Sequence, residues 1–291
     1  MIGMHFNTPL ENPPKTDWVR LWDCGVTWKD IHLSKDNYDW SRLDYLVNLY
    51  SDRKIVYVAC ATPLWLAENP KAPHYAPWLG PGTNSLPRYI DEWNKFIWNL
   101  ATRYKGKIDV YEIWNEPQIP DFMYPYTRKN RFRLAKMTKR AYRTIKSIDS
   151  KSLVLSPSVL PRKSSGGMRR GRKMLYALKR KGWPVDGIAC HIYPETGTGA
   201  LQWRGMYDEV FRYCRKNKAP GKIWVTETNF NLLGFTPSDS QSKIILRRLA
   251  STMGIDNIKI FWYSWNQSSE IGGLDISENS ASWEEIKKNF S

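Results

Sequence analysis

Apolar residues in this chain occur in short runs that alternate with stretches of helical spacing. The runs have the length and the β-branched and aromatic content of buried strands, and they predict eight of them. The predicted strands cover residues 2–6, 18–22, 55–61, the run from residue 110 that Pro117 ends, 153–156, 186–192, 222–226 and 258–263. Seven stretches with helical spacing lie between or after these runs, and Trp93, Phe96, Ile97 and Leu100 mark the clearest one. Residues 7–17 carry three prolines and no helical period, so we predict that the first helix is missing or vestigial.

Alternating strands and helices predict an α/β fold with a parallel sheet. The chain has 291 residues, no evident internal linker and no sequence repeat. A single (β/α)8 barrel needs about 250 residues, so we predict one catalytic barrel domain spanning residues 1–291. A doubly wound open sheet is the alternative, but no glycine-rich phosphate loop follows any predicted strand.

Two predicted strands end in a glutamate. Asn115 and Glu116 follow the apolar run that starts at Val110, and Glu227 ends the run that starts at Ile223. A barrel brings the carboxyl ends of its strands to one mouth, where ligands bind. The two carboxylates are therefore expected to face each other across one pocket, as in a glycosidase.

Other polar and aromatic residues also follow strand ends and are predicted to bind substrate at the same mouth. Aromatic rings in this position either stack on sugar rings or pack the core, and Trp65 and Trp265 leave both options open. The predicted substrate-binding residues are Arg20, Trp28, Trp65, Asn115, His191, Tyr193, Trp262, Trp265 and Asn266.

These motifs resemble the retaining (β/α)8 glycoside hydrolases of clan A. The wider pattern is most similar to family 39, with family 5 next, and it extends along nearly the whole chain. The chain departs from the family 39 pattern in two features, the missing first helix and the absence of a carboxy-terminal β-sandwich. The motifs are Arg20, Trp28, Asp39-Trp40-Ser41, Leu43-Asp44, Thr62-Pro63-x-Trp65, Glu112-Ile-Trp-Asn-Glu116-Pro117, His191-x-Tyr193, Thr226-Glu227 and Trp262.

The resemblance implies a retaining β-glycosidase that cleaves an oligo- or polysaccharide, and we expect an endo-acting enzyme. It implies that Glu116 is the acid/base and Glu227 the nucleophile. It further implies that Asn115 binds the sugar 2-hydroxyl and that Trp262 forms the floor of the subsite. Arg20, His191 and Tyr193 are then expected to orient Glu227.

Glu112 lies four residues before Glu116, deeper in the barrel, and is predicted to be a structural carboxylate paired with a cation. The histidines His5, His32 and His74 show no metal-ligand spacing. We therefore predict neither a metal site nor a cofactor.

Composition limits the class of protein. Hydrophobic residues make up 42% of the chain and aromatic residues 14%, which supplies a large core. The sequence contains no run of about 18 consecutive apolar residues, so we predict no membrane span. The four cysteines are widely spaced, and we expect free core thiols rather than a disulfide. Residues 1–6 lack the features of a secretion signal, so we expect either cytoplasmic synthesis with release by lysis or secretion with the signal removed.

The chain carries 44 basic and 28 acidic residues, a formal charge of +16. The excess is concentrated in residues 128–146, interpreted as a solvated helix face, and in residues 162–181. Residues 161–172 are predicted to form a loop on the catalytic face, which favours an acidic or cell-envelope glycan as substrate. The cations in or beside this loop are Arg162, Lys163, Arg169, Arg170, Arg172 and Lys173.

Two other classes of protein share some of these sequence features. A catalytically inactive carbohydrate-binding barrel would keep the aromatic residues but usually lose a carboxylate. A nucleic-acid-binding protein would account for the charge, but no helix-turn-helix, zinc or RNA-recognition motif is present, so no nucleic-acid partner is expected. We expect a monomer.

Overall fold

The computed structural model describes residues 1–7, 12–73, 78–162, 166–194, 199–230, 237–253, 258–266 and 273–290. Ten strands and eight α-helices lie in these segments. The strands are β1 (Ile2–His5), β2 (Trp18–Leu21), β3 (His32–Ser34), β4 (Asn37–Tyr38), β5 (Lys54–Ala59), β6 (Val110–Ile113), β7 (Leu153–Leu155), β8 (Ile188–Ile192), β9 (Ile223–Thr228) and β10 (Lys259–Trp262). The helices are α1 (Trp28–Ile31), α2 (Ser41–Leu49), α3 (Ile90–Arg103), α4 (Arg128–Ile148), α5 (Gly167–Lys179), α6 (Gly199–Lys216), α7 (Asp239–Met253) and α8 (Ala281–Phe290).

Eight of the strands form one parallel sheet in the order β7-β6-β5-β2-β1-β10-β9-β8. Parallel bridges from Leu155 to Gly187 and from Val159 to Cys190 join the two outer strands, so the sheet closes into a barrel. All eight predicted strands are present, and the prediction of a (β/α)8 barrel is confirmed. The short antiparallel hairpin of β3 and β4 was not predicted.

Among the described residues between β1 and β2 there is no helix, in agreement with the prediction. The loop after β2 instead contains the single-turn helix α1, the hairpin and then α2. Helices α2 to α8 each follow one barrel strand and cover the outside of the sheet. Their apolar faces pack on the strands, and α3 buries Trp93, Phe96, Ile97 and Leu100 as its spacing predicts.

The interior of the barrel changes character along its axis. Near the amino ends of the strands it holds an apolar layer of Trp18, Val56, Val110, Leu155, Ala189, Trp224 and Phe261. Side chains alternate between the two faces of a strand, so the residue two positions later points inward again. Those next positions include Arg20, Glu112 and His191, all fully or nearly fully buried. The apolar layer therefore closes the bottom of the barrel, and a charged layer lies above it.

The four cysteines are free and buried, as predicted. Within the segments that the structure covers, no helix is long and apolar enough to cross a membrane.

The turn that leads into β9 depends on a glycine. Gly221 has a φ of +67°, and a Cβ there would lie 1.7 Å from the carbonyl oxygen of Asp186. Gly106 has a similar φ of +73°, but no atom lies within 4 Å of the position of its Cβ. The two positions share backbone strain and differ in the space available.

We therefore predict that Gly221→Ala lowers the free energy of unfolding by about 3 kcal/mol or more, because steric overlap adds to the strain. Gly106→Ala, the control, is expected to cost about 1 kcal/mol for the left-handed backbone alone. Urea denaturation of both variants measures the difference. Equal losses would show that the close approach to Asp186 does not constrain this turn.

Candidate active site

The two predicted catalytic glutamates meet at the carboxyl end of the barrel. Glu116 follows β6, and Glu227 is the last residue but one of β9. Each is at least nine-tenths buried. One oxygen of each carboxylate and a ring nitrogen of His191 lie within 4.8 Å of one another. Carboxyl groups this close leave no room for the water that an inverting glycosidase places between them.

The backbone around Glu116 is unusual. Trp114 has a φ of +75° and Glu116 a φ of +31°, in the region that disfavours side chains with a Cβ. The backbone N–H of Glu116 donates to the hydroxyl of Ser158 at 3.0 Å, which helps to fix this conformation. Strained backbone that the surroundings hold in place is typical of functional sites.

Strand β9 carries an irregularity where Glu227 begins to face inward. Its pairing with β8 shifts between Cys190 and His191, and its pairing with β10 shifts between Ile260 and Trp262. Strict alternation from the inward-facing Trp224 would point Thr226 into the barrel and Glu227 away from it. The bulge adds one residue to β9 and turns Glu227 toward the pocket, a known use of bulges near active sites.

Arg20 connects the carboxylates beneath the pocket. Its Nε and one terminal nitrogen donate to both oxygens of Glu112 at 2.9 Å, and its Nη1 donates to Glu227 at 2.6 Å. It also donates to the side-chain oxygen of Asn115 at 3.1 Å. Burial alone would lower the pKa of Arg20, but Glu112 and Glu227 raise it above its ordinary value, so the guanidinium stays charged.

The same cluster fixes the charge of Glu112. Burial would raise its pKa, but the Arg20 guanidinium and His191 together lower it to about 2. Glu112 is therefore a buried carboxylate paired with a cation, as predicted.

His191 and Tyr193 complete the surroundings of the two glutamates. His191 Nδ1 lies 2.6 Å from Glu116 and 3.2 Å from Glu227, and the hydroxyl of Tyr193 donates to Glu227 at 2.9 Å. Burial would lower the pKa of His191, but the carboxylates of Glu227 and Glu116 raise it to about 9, so the imidazole is cationic at neutral pH. The sequence predicted that these residues contact Glu227, and His191 contacts Glu116 as well.

Opposing effects act on Glu227. Burial raises its pKa, His191 and Arg20 lower it, and the neighbouring carboxylate of Glu116 raises it again. The net shift is upward from the ordinary value of 4.5. Each of the two cations therefore offsets part of the cost of holding two carboxylates side by side.

A pocket of about 340 Å³ opens above these groups. Aromatic residues form much of its wall, and polar groups converge at its base, as in many sites for small ligands. The pocket is lined by Trp22, Trp78, Asn115, Glu116, Ile119, Asp121, Phe122, Leu160, Arg162, Tyr193, Glu227, Asn229 and Tyr263.

Tyr263 occupies the pocket wall where Trp262 was expected. Trp262 is fully buried and packs edge-on against Phe290 of α8, outside the barrel. The inward-facing Phe261 lies two residues before Tyr263, so strand alternation could have identified Tyr263. Its hydroxyl donates to Asp23, whose carboxylate also accepts from the side-chain amide of Asn7 at 2.5 Å.

Two further predicted tryptophans on the β2 and β5 sides do not line the pocket. Trp28 is fully buried in α1, packs on Trp93 and Phe96, and donates its N–H to His32. Trp65 is 37% exposed, but its N–H donates to the carbonyl of His32 and its ring packs against that histidine. Trp28 is thus a core residue, and Trp65 lies at the surface away from the two glutamates.

Trp265 and Asn266, which follow β10 after Tyr263, also lie outside the pocket wall. Trp265 is buried between Phe6 and Trp283, and its backbone N–H donates to the carbonyl of His5. Asn266 is exposed, with a φ of +59°, and its backbone N–H donates to Ile276. Of the two interpretations that the sequence left open for Trp265, the structure favours packing.

Besides Tyr263, the sequence reasoning missed three aromatic residues of the pocket wall, Trp22, Trp78 and Phe122. Trp22 directly follows β2, and its ring contacts Trp78 and Phe122 edge-on. Trp78 is half exposed at the rim. Trp22 could have been found because it follows the same strand end as Arg20, whereas Trp78 lies in a long loop without a strand signal.

The second basic segment does not form the predicted loop. Helix α5 begins at Gly167, so Arg169, Arg170, Arg172 and Lys173 are helical, and Arg172 pairs with Glu209 of α6. Arg162 lines the pocket. Among the described cations of this basic segment, it is the one that lies in the pocket wall. Lys163 and His74 lie outside the described residues.

Glu116, His191 and Glu227 are also the described residues that could hold a metal ion. The oxygen and nitrogen atoms of these three side chains already contact one another or Arg20. Two cations, Arg20 and His191, therefore already balance the carboxylates. The arrangement is suited to stabilising carboxylates by proton and guanidinium contacts, as in acid/base and nucleophilic chemistry.

No protein-family model matches the chain. A β-xylosidase from Caldicellulosiruptor saccharolyticus is 31% identical over 126 residues, which cover 39% of this chain and 23% of that protein. The chain thus matches less than a quarter of the length of this curated relative.

Solved structures match over far more of the chain. A monomeric β-xylosidase from Caulobacter crescentus CB15 superposes with a TM-score of 0.69 and 18% identity, covering 93% of this chain and 60% of that one. The family 39 enzyme from Xanthomonas axonopodis pv. citri superposes with a TM-score of 0.67 and 18% identity, covering 93% of this chain and 59% of that one. A psychrophilic family 10 endo-β-1,4-xylanase has a TM-score of 0.68 and 14% identity, covering 100% of this chain and 96% of that one.

The chain therefore shares the (β/α)8 barrel fold of these family 39 and family 10 glycoside hydrolases. The fold that the resemblance to family 39 implied is confirmed.

The pairing of Glu112 with Arg20 leads to a prediction for stability. The pKa of Glu112 is lowered from 4.5 to about 2, so the pair stabilises the fold fully above pH 4.5. That stabilisation is lost as the pH falls through 4.5 toward 2. Glu112→Gln leaves the Arg20 charge partly uncompensated, so we expect a loss of about 3 kcal/mol at pH 7 and a smaller further loss in acid.

Denaturant unfolding at a series of pH values measures both effects. Asp91→Asn is the control, because it breaks an ion pair with Arg140 in which the carboxylate is largely exposed. It is expected to change stability little. A Glu112→Gln variant as stable as the wild type at pH 7, with the same acid dependence, would contradict the role given to the pair.

Proposed function

We propose that this protein is a retaining β-glycosidase that uses Glu116 as acid/base and Glu227 as nucleophile. The observation that carries the proposal is the approach of the two carboxylates to within 4.8 Å, with His191 between them. Retaining enzymes hold their carboxyl groups about 5–5.5 Å apart, whereas inverting enzymes need about 6.5–9.5 Å.

In the first step, Glu116 protonates the glycosidic oxygen while an oxygen of Glu227 attacks the anomeric carbon. The bond to the leaving group breaks, and a glycosyl ester of Glu227 forms. Arg20 and the Tyr193 hydroxyl donate hydrogen bonds to Glu227, so they orient the carboxylate for attack, and the charge of Arg20 offsets part of the cost of burying its anion.

In the second step, Glu116 removes a proton from water, and the water oxygen displaces Glu227 from the anomeric carbon. Two displacements at one carbon give net retention of configuration. Asn115, which Arg20 holds by its side-chain oxygen, is then available to bind the sugar through its amide N–H groups.

We propose a β-linked polysaccharide that carries acidic groups as the substrate, cleaved internally. The activities of the similar proteins, β-xylosidase and endo-β-1,4-xylanase, support β-linked pentose units. Trp78 at the rim supports contact with sugar units beyond the one hydrolysed, since flat rings stack on aromatic faces. Arg162 in the pocket wall supports an acidic group.

The roles of the two glutamates can be separated with azide. Glu116→Ala and Glu227→Ala are each expected to lower kcat/KM by about 10³-fold or more. With an activated aryl glycoside, azide should give a β-glycosyl azide from Glu116→Ala, because the ester of Glu227 still forms. Glu227→Ala should give the α-glycosyl azide by direct attack.

Glu285→Ala serves as the control, because Glu285 is buried against Arg247 of α7, far from the pocket. It should keep activity and show no azide product. Near wild-type activity of either active-site variant would exclude its role, and exchanged azide products would reverse the assignment of the two residues.

A further inference from the structure

Nearly all of the net charge of the protein lies on two helices. Helix α4 carries nine basic residues and α5 five, and neither contains an aspartate or a glutamate. Removing these 14 from the total of 44 leaves 30 basic residues against 28 acidic ones. Every other α-helix that the structure describes contains at least one acidic residue. The charge is therefore localised rather than spread over the surface.

The two helices lie side by side on the outside of the barrel. Phe132 of α4 and Tyr176 of α5 meet edge-on, with ring centroids 6.3 Å apart. Tyr126, just before α4, lies between the guanidinium groups of Arg131 and Arg170, at 4.9 and 4.7 Å. The cations of both helices thus form one surface, here called the basic face.

Most cations of the basic face have no acidic partner among the described residues. Four of the 14 form ion pairs, namely Arg133 with Glu68, Arg140 with Asp91, Lys146 with Asp186 and Arg172 with Glu209. Of the other ten, Arg131 and Lys179 donate to uncharged oxygens of Tyr126 and Asn217, and none forms an ion pair with a described residue. Like charges on successive turns of a helix repel each other. Cations that served solubility alone would be more effective if they were spread over the surface. Their clustering on one face therefore indicates an anionic partner.

The basic face reaches the pocket. In a barrel, the helix that follows a strand begins at the catalytic end, so Arg128 and Arg131 of α4 and Arg169 and Arg170 of α5 lie near the rim. The backbone carbonyl of Arg162 accepts a hydrogen bond at 2.9 Å from the N–H of Gly167, the first residue of α5, and Arg162 lines the pocket. A chain lying along the basic face would therefore continue toward the cleft.

We propose that the basic face is a docking surface for an anionic polysaccharide, which it holds outside the cleft while another part of the polymer is cleaved. The choice of a polysaccharide rather than another polyanion rests on the proposed function and on the continuity with the pocket. The helices pack on the barrel through their apolar sides, and exposed cations lie on the opposite, solvent-facing sides. This arrangement fits a flexible chain laid across the surface. This differs from the expectation that the charge acts inside the cleft.

The test compares two variants that lose the same charge. In the first, five exposed cations of the basic face without acidic partners become glutamine: Lys129, Lys136, Arg143, Arg169 and Lys173. In the second, five exposed cations of α6 and α7 become glutamine: Arg212, Arg215, Lys216, Lys243 and Arg248. The probes are heparin, a 20-base-pair DNA duplex and a neutral xylan, with binding measured at low and high salt.

For the basic-face variant we expect heparin binding to weaken by about tenfold or more at low salt, with a reduced dependence on salt concentration. The α6/α7 variant should change less than about threefold, since its cations lie off the proposed path. Both variants should bind neutral xylan as the wild type does. Equal weakening in the two variants would mean that only total charge matters, and this would overturn the docking surface.

DNA bound more tightly than heparin, with the same dependence on the basic face, would overturn the choice of a polysaccharide. Neither binding measurement requires turnover. Failure of the proposed function is read separately, as the absence of hydrolysis of activated aryl glycosides by the wild-type protein.

Discussion

The architecture of the active site depends on one buried guanidinium. Arg20 rises from β2 into the charged layer of the barrel and contacts Glu112 of β6 and Glu227 of β9, so it links three strands across the interior. Two carboxylates in this position would repel each other and lose hydration, and the delocalised cation offsets both costs. A lysine could supply the charge but not the forked geometry that bonds both oxygens of Glu112 and still reaches Glu227. The positions of Asn115 and Glu227 therefore follow from where Arg20 lies.

The arrangement of layers explains why this cluster can exist in a stable fold. Seven apolar side chains close the lower part of the barrel, and His5, Arg20, Glu112 and His191 occupy the level above. The apolar layer excludes water from below and leaves the polar groups to satisfy one another. This low-dielectric setting strengthens each contact, and it gives His191 a pKa of about 9 between two carboxylates. In the proposed mechanism, a pair of glutamates held by such contacts is already in position before a substrate arrives.

The eight barrel strands, and the meeting of Glu116 and Glu227 at one end of the barrel, could be predicted from the sequence, because apolar runs and their final residues mark strand ends directly. The direction of each side chain could not be read with the same accuracy. Trp262 and Tyr263 are neighbours, and only the knowledge that Phe261 faces inward distinguishes them. The bulge in β9 reverses the alternation at Glu227, and it is a property of pairing with β8 and β10 rather than of β9 alone. Likewise, residues 169–173 are rich in arginine and glycine, yet packing of Met168, Met174 and Leu175 on the barrel makes the segment helical.

The central claim is that Glu227 forms a covalent bond to the sugar. It is tested most directly with a 2-deoxy-2-fluoro glycoside bearing a good leaving group, of the sugar type that the enzyme hydrolyses, because such reagents slow the second step and trap the ester. After proteolysis, mass spectrometry should find one fluoroglycosyl group, attached to Glu227, and the Glu227→Ala variant should carry none. A label on Glu116 or on another residue, or an active enzyme that accumulates no label, would contradict the account.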